Sequence, residues 1–371
     1  MKSFRLLTTI GIVFAVLFSL GRGQQALAQE EPKVLNVYNW ADYLPDGLLE
    51  NFQKETGIKV RYDTFDTNEV LHAKLVAGRT GYDIVVPSAN WAALQIQAGL
   101  LRKLDKSKLP NLKNTDPVMA GLLAKVDPGN QYLVNWAWGF VTLGINTAKV
   151  KAALGSMPMP DNAWALIFDP KYASKLKSCG ISMLDSATDV IPAALHYLGK
   201  PAYSTNPADY AEATKLMRAI RRNIKVFSSG INDLASGGLC MALGYSGDMN
   251  IAAKRAIEGK TGQKIETLVP STGGLLFYDN MAIPADAEHP NNAHIFINYI
   301  LRPDVAASIS NKMNYATMNA ASAKFVNKEI LNNKSIFLTD EAKKKMAPSG
   351  VTTNDMRRIM TRAFTQFKTG L

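Results

Sequence analysis

Residues 34–87 read VLNVYNWADYLPDGLLENFQKETGIKVRYDTFDTNEVLHAKLVAGRTGYDIVVP, and their order of strand-like and helical runs indicates the fold class. It begins with the β-rich run Val34–Trp40, which a helical run at residues 47–55 follows. Two further strand-like runs, at residues 58–65 and 82–87, are separated by a second helical run. Strands and helices that alternate at this spacing predict parallel strands joined by right-handed crossovers. The stretch therefore predicts an open α/β sheet.

The same alternation returns farther along the chain. Strand-like runs occupy residues 178–184, 239–246 and 275–283, and helical runs occupy residues 189–197, 209–221, 248–258, 293–301, 303–310 and the stretch from 339 onward. The chain has 371 residues, which at roughly 100–200 residues per domain suggests two domains. We therefore expect two open α/β units, whose ligands bind beyond the C-terminal ends of the strands.

The N-terminus has the features of a targeting segment. Lys2 and Arg5 precede an uncharged apolar run at residues 6–20, and small residues at a cleavage position end at Ala28. This pattern predicts a signal peptide over residues 1–28, and the alternative is an uncleaved anchor. Because the apolar run is short for a bilayer span, we expect an exported protein that is not membrane-embedded. In a Gram-negative bacterium its location would be the periplasm.

Composition and charge exclude several classes of protein. The chain is 47% hydrophobic and 20% charged, which is typical of a globular protein. Its net charge of +11 would by itself favour nucleic acid or an anionic surface as partner. The basic C-terminal stretch lacks the interleaved aromatic residues that stack on bases, so we expect a solvated helix face and no nucleic-acid partner. Four scattered histidines and 2 cysteines predict no metal site, and we expect no cofactor.

The two cysteines, Cys179 and Cys240, admit two interpretations. In an exported protein such a pair commonly oxidises to a disulfide. The alternative is a pair of buried thiols. We expect the disulfide because the N-terminus predicts export.

Acidic and aromatic side chains recur where the predicted strands end. Carboxylates pair with ammonium groups, and aromatic faces attract cations and cover methylene groups. A linear diamine needs both kinds of contact, whereas an anion site would present Arg, Lys or glycine-rich backbone. These positions therefore predict a cation-binding cleft. The residues are Trp40, Asp42, Tyr43, Ser88, Asp189, Tyr245, Asp248, Phe277 and Asp279.

Other interpretations of these residues remain open. Asp189 and Asp248 are also placed to be helix N-caps, and each aromatic residue alone is compatible with ordinary packing. Asp279 is harder to explain as structural, because a lone acid in an apolar strand is costly unless it is paired or hydrated. An enzyme is a further alternative, but the sequence has no Gly-x-Ser-x-Gly, His-Glu-x-x-His or P-loop motif. We therefore expect no catalytic activity.

Several stretches resemble bacterial polyamine-binding proteins, in particular the putrescine-binding components of polyamine ABC transporters. The resemblance extends in order over nearly the whole chain after the predicted signal peptide. The stretches are VYNWADY at 37–43, FQKETGIKV at 52–60, YDIVVPS at 82–88, INDL at 231–234, GD at 247–248, AIPADA at 282–287 and LRPDV at 301–305. The resemblance implies the type II periplasmic binding protein fold, in which two α/β lobes enclose a ligand cleft and are joined by two crossover segments.

The resemblance also implies a division of the chain and a function. Residues 29–138 with 270–313 would form the N-terminal lobe, and residues 139–269 with 314–371 would form the C-terminal lobe. The protein would be a monomer that captures a polyamine, putrescine first and spermidine next, and delivers it to an inner-membrane ABC transporter permease. The alternative is a binding protein of the same fold that has a changed cationic ligand or acts as a sensor.

Site roles follow from the same resemblance. It implies that Ser88 contributes a hydroxyl, that Trp138 on the first crossover faces the cleft, and that the two cysteines are paired. Ala41, Asp189 and Tyr245 depart from Ser, Glu and Trp in close relatives, which leaves the particular amine open. The implied aromatic sleeve is Trp40, Tyr43, Tyr245, Phe277 and Tyr315, and the implied acids are Asp42, Asp189, Asp248 and Asp279.

Overall fold

The computed structural model describes residues 31–41 and 43–370. The expected signal peptide and the predicted ligand residue Asp42 lie outside the described residues. The strands are β1 (Val34–Trp40), β2 (Lys59–Phe65), β3 (Ile84–Val85), β4 (Leu101–Arg102), β5 (Val134–Asn146), β6 (Ile181–Met183), β7 (Val226–Phe227), β8 (Met241–Tyr245), β9 (Ile265–Thr267), β10 (Leu275–Met281) and β11 (Ile283–Pro284).

Helices alternate with these strands along most of the chain. They are α1 (Leu48–Thr56), α2 (Asn68–Ala77), α3 (Ala89–Gln97), α4 (Pro117–Leu123), α5 (Thr147–Leu154), α6 (Ala165–Phe168), α7 (Pro170–Leu176), α8 (Ala187–Tyr197), α9 (Pro207–Ile220), α10 (Ile231–Ser236), α11 (Ser246–Glu258), α12 (Pro290–Ile300), α13 (Pro303–Met313), α14 (Lys328–Leu331), α15 (Asp340–Lys345) and α16 (Asn354–Thr369). Within the described part of the chain, no helix combines the length and apolar character of a membrane span.

The first sheet confirms the prediction from residues 34–87. Its strand order is β2-β1-β3, and β1 pairs in parallel with both neighbours. Leu35 and Val37 of β1 are fully buried and pack against Phe52 of α1, because alternate residues of a strand face the same side. A bridge between Val85 and Ala282 connects this sheet to the pair formed by β11 and β4.

Two long strands connect the lobes. The strand β5 has 13 residues, all buried, and pairs antiparallel with β10. The second sheet has the order β10-β5-β8-β6-β7, and β9 also pairs with β5. Trp136 near the start of β5 packs in the core around β1, whereas Leu143 near its end packs in the core around β6 and β8. This arrangement confirms the two-lobed α/β fold with crossover strands.

Packing distributes the C-terminal part of the chain between the lobes. Met318 and Leu338 pack in the same cluster as Tyr38 of β1. Met360 and Phe367 of α16 pack instead with the core of the second lobe. The expected lobe boundaries stay a prediction, and the packing associates much of the segment after α13 with the first lobe.

Two expectations about local structure can be compared with the fold. The predicted disulfide between Cys179 and Cys240 is present and joins the segment after α7 to the start of β8. The helical stretch expected from residue 339 is instead two helices, α15 and α16, separated by residues 346–353. Pro348 lies in this interruption, and proline disfavours a helical conformation in the residue before it.

Candidate functional site

A cavity of about 360 Å³ lies between the two lobes. It is bounded by the C-terminal ends of β1, β3 and β8 and by the crossover strand β10, where ligands of open α/β sheets bind. Of the predicted site residues that the structure describes, all but Trp138 line this one cavity. They are Trp40, Tyr43, Ser88, Asp189, Tyr245, Asp248, Phe277, Asp279 and Tyr315.

Asp279 lies at the centre of a hydrogen-bond network on the crossover strand. Its side chain accepts a bond from the Tyr43 hydroxyl at 2.8 Å and one from the Ser88 hydroxyl at 2.6 Å. Asn68 donates in turn to Ser88 at 3.0 Å, which holds that hydroxyl in place. The Asp279 side chain is 3% exposed. Directly after this residue, the pairing register of β10 with β5 shifts. The network therefore holds a buried carboxylate in place on the wall of the cavity.

The other two acids project from the first turns of helices in the second lobe. Asp189 of α8 accepts hydrogen bonds from Ser186 at 2.6 Å and Tyr245 at 2.7 Å. Asp248 of α11 accepts one from Tyr315 at 2.9 Å. The N-cap positions of these helices are Ser186 and Tyr245, so neither acid is the cap residue that the alternative interpretation required. A helix N-terminus nevertheless favours a nearby carboxylate.

Burial sets the electrostatics of the cavity. Desolvation raises the pKa of Asp248 and of Asp279 to about 6, and it also raises the pKa of Asp189. Among the described residues that line the cavity, none is Lys or Arg. The ionised acids therefore have no positively charged partner among the described residues that line the cavity. A cation that entered the cavity would offset the free-energy cost of their burial.

The tyrosines that contact these acids remain hydrogen-bond donors. Burial and the neighbouring carboxylates raise the pKa of Tyr43, Tyr245 and Tyr315 well above the ordinary value of a phenol. Each phenol therefore keeps its proton near neutral pH. The acids are oriented by neutral groups, and their negative charge remains available to a ligand.

Aromatic rings form a continuous wall through the cavity. Successive ring centroids from Trp40 to Tyr43 to Tyr315 lie 6.3 and 6.4 Å apart. Phe277 continues the series edge-on at 5.8 Å from Tyr315 and 5.3 Å from Tyr245. These spacings are typical of favourable aromatic pairs. The wall presents π-faces and apolar edges between the acids, which suits a chain of methylene groups with charged ends.

Two glycines make room for this wall. A Cβ at Gly139 would lie 2.8 Å from the rings of both Phe277 and Tyr315. A Cβ at Gly247 would overlap the Tyr315 ring. The close approach of the rings to the backbone therefore requires glycine at both positions.

Trp138 does not line the cavity, contrary to the expectation from the first crossover. It is 3% exposed and packs with Tyr278 and Phe140. Successive residues of a strand face opposite sides, so Gly139 and Val141 of β5 face the cavity and Trp138 faces away.

The structure adds cavity residues that the sequence did not indicate. Tyr203 and Ser349 come from loops, and Trp91 and Asn68 come from helices. None of these four residues directly follows a predicted strand. The sequence argument considered only residues at strand ends, so it gave no signal for them. Among the described residues no group of His, Cys, Asp and Glu forms a metal-binding cluster.

The fold and the site define a two-lobed solute-binding protein. A family model described as bacterial extracellular solute-binding protein matches residues 47–337. The chain belongs to this family.

Two similar bacterial proteins are named for a ligand that they bind. The chain is 44% identical over 363 residues to the putrescine-binding periplasmic protein PotF of Escherichia coli, with 97% of each chain covered. It is 44% identical over 340 residues to the putrescine-binding periplasmic protein SpuD of Pseudomonas aeruginosa, covering 91% of this chain and 92% of that protein.

Solved structures of similar proteins have the same architecture. A putative spermidine/putrescine ABC transporter from Listeria monocytogenes superposes with a TM-score of 0.76 at 32% identity and covers 91% of this chain and 99% of that one. The spermidine/putrescine substrate-binding protein PotD from Streptococcus pneumoniae superposes with a TM-score of 0.77 at 26% identity, with 91% and 99% covered.

Proposed function

We propose that this protein binds a polyamine, putrescine first and spermidine next, in the cavity between its lobes. The observation that carries the proposal is a set of three carboxylates, the buried Asp279 and the half-buried Asp189 and Asp248, on a cavity wall that presents no positively charged side chain among its described residues. Ammonium groups supply the missing charge, and the aromatic wall covers the carbon chain between them. The two 44% identical relatives are both named putrescine-binding periplasmic proteins, which supports the same choice.

The proposal assigns roles to the site residues. Asp279, with Tyr43 and Ser88, receives one ammonium group, and Asp248 or Asp189 receives the other. Trp40, Tyr245, Phe277 and Tyr315 form the sleeve around the methylene groups. Asp42 is proposed as a further acid of the site on the basis of the sequence alone. No catalytic step belongs to this proposal.

Export and delivery complete the proposed function. We propose that residues 1–28 are removed as a signal peptide and that the monomeric protein carries its ligand in the periplasm to an inner-membrane ABC transporter permease. The lobes would close around the ligand by bending at β5 and β10. The packing of Met318 and Leu338 supports a first lobe that includes much of the segment after α13.

A thermal-shift screen of the protein lacking residues 1–28 tests this function. A ligand that binds only the folded state stabilises it by RT ln(1 + [L]/Kd), which is roughly 2.7 kcal/mol at 100 times Kd. Putrescine, cadaverine, spermidine and agmatine should raise the melting temperature, whereas succinate, a dicarboxylate of similar length, should not. A panel in which no amine stabilises the protein would overturn the polyamine assignment and favour the changed-ligand alternative.

The glycine at position 247 provides a test of the aromatic wall. We expect Gly247→Ala to push the Tyr315 ring out of place, because the added Cβ would overlap it. Overpacking of this kind costs about 1–3 kcal/mol, which corresponds to roughly fivefold to hundredfold weaker putrescine binding. Titration calorimetry measures the change. Gly121→Ala is the matched control, because a Cβ there meets nothing within 4 Å, and unchanged affinity in both variants would refute the role of the wall.

A further inference from the structure

The rim of the cavity, where α2 and α3 of the first lobe face α16 of the second, carries a second combination of aromatic and charged groups. Asp66 and Trp91 line the cavity at this rim. Arg357 of α16 reaches across from the other lobe, and its guanidinium carbon lies 4.5 Å from the centroid of the Trp91 ring. Glu69 of α2 is close enough for its charge to act on both Arg357 and Asp189. These residues, Asp66, Glu69, Trp91 and Arg357, are called the rim cluster below.

Arg357 is held in this position by neutral partners. Its guanidinium donates to the Asn354 side chain at 2.9 Å and to the Thr352 hydroxyl at 3.5 Å. The side chain is only partly exposed, and burial lowers its pKa while the charge of Glu69 acts in the opposite direction. An arginine keeps its charge under these conditions. A permanent cation therefore lies against the Trp91 ring, which itself lines the acidic cavity.

The rim cluster repeats the chemistry of the cavity itself. An aromatic face beside carboxylates is the arrangement that attracts an ammonium group. At the rim, however, the protein's own guanidinium already occupies a face of the Trp91 ring. A ligand with an additional cationic group at this end would meet a like charge at short range and a ring already engaged with a cation. A diamine held between the deeper acids has no group at the rim and avoids this repulsion.

We infer that Arg357 is a specificity-determining residue that disfavours triamines such as spermidine relative to diamines such as putrescine. The inference rests on the proposed polyamine site. Because Arg357 and Trp91 belong to different lobes, their contact also stabilises the closed arrangement for any ligand. A purely structural role would therefore change the affinities for both amines by the same factor, whereas a specificity role changes their ratio.

The experiment compares spermidine and putrescine dissociation constants by titration calorimetry in the wild type and in Arg357→Met. Methionine removes the charge and retains an unbranched apolar side chain that packs on Trp91. We expect the ratio of spermidine Kd to putrescine Kd to fall by roughly threefold to tenfold, the range expected if the additional ammonium group of spermidine gains the cation–π contact with Trp91 that Arg357 leaves. Arg357→Lys keeps the positive charge and should keep the wild-type ratio.

Arg358→Met is the matched control. Arg358 is the next residue of α16, is largely exposed and pairs with Asp355 on the same helix. Its loss removes the same charge from the protein without touching Trp91, so the ratio should stay at the wild-type value. An equal fall of the ratio in this control would assign the effect to overall charge and overturn the inference.

The remaining outcomes separate this inference from the proposed function. If the wild type binds putrescine and Arg357→Met leaves the ratio unchanged, the specificity role of Arg357 is wrong and the polyamine site stands. If the wild type binds neither amine, the proposed function fails and the inference fails with it. Putrescine binding by the Arg357→Met variant reports at the same time that the variant is folded.

Discussion

Replacement of both Asp248 and Asp279 by asparagine is expected to weaken putrescine binding by at least about a hundredfold. Asp279 is buried and Asp248 is half-buried in the cavity, and each is oriented by a tyrosine hydroxyl. Without them an ammonium group would be buried without a counter-charge, which costs about 3–5 kcal/mol when one partner of a buried pair is removed. That energy corresponds to a loss of affinity on the order of a hundredfold to several thousandfold.

The double variant can be distinguished from an unfolded protein. Removing two acids whose ionisation is opposed by burial should raise the stability of the unliganded protein near neutral pH. Chemical denaturation without ligand measures this directly. Asp161→Asn, at an exposed position outside the cavity, serves as the control and should change neither binding nor stability. Putrescine affinity that survives the double change would show that these acids do not form the site.

Putrescine affinity is expected to fall steeply below about pH 6. The pKa of Asp248 and Asp279 is about 6 in the unliganded protein, whereas the amines of the ligand stay protonated throughout this range. Protons therefore compete with the ligand for both carboxylates as the pH falls. Between about pH 7 and pH 4.5, two such acids weaken binding by roughly 10²- to 10³-fold, because each loses up to tenfold per pH unit below its pKa. Calorimetric titrations across this range measure the profile.

As the pH falls, the putrescine affinity should decrease, whereas the contribution of these acids to the stability of the unliganded protein should become less unfavourable. The pKa of each acid is higher in the folded chain than the ordinary value of 3.8, so folding favours the protonated form. Their destabilising contribution is therefore complete above about pH 6 and disappears as the pH falls toward 3.8. Thermal melts with and without saturating putrescine separate the two trends. A binding affinity that is flat from about pH 7 to pH 4.5 would contradict the assigned acids.

Much of the first lobe followed from local pattern. The run from Val34–Trp40 to Ile84–Val85 contains two helices between three short strands, and that spacing leaves little choice but parallel pairing. The acids were predictable for a related reason, since strand ends of an open sheet converge. Asp279 was the clearest indication of the site, because an acid in an apolar strand is costly unless it is paired or hydrated.

The parts that were not predictable depend on long-range packing. The strand β5 is buried on both faces, so its sequence lacks the alternation that marks a half-exposed strand. The side of β5 that faces the cavity, and therefore the position of Trp138, is fixed only by the register with β10. Tyr203 and Ser349 reach the cavity from loops whose paths depend on the docking of α16. No periodicity in the sequence encodes that docking.

The most direct test of the central claim is a calorimetric titration of putrescine into protein that has been unfolded and refolded to remove any carried ligand. The central claim is that the acids of the cavity and the aromatic wall form a site for a polyamine cation. We expect saturable binding of one putrescine per chain, with an affinity that falls by at least about a hundredfold in the Asp248→Asn, Asp279→Asn double variant. The absence of binding heat with putrescine, cadaverine, spermidine and spermine, in a refolded protein that melts cooperatively, would contradict it.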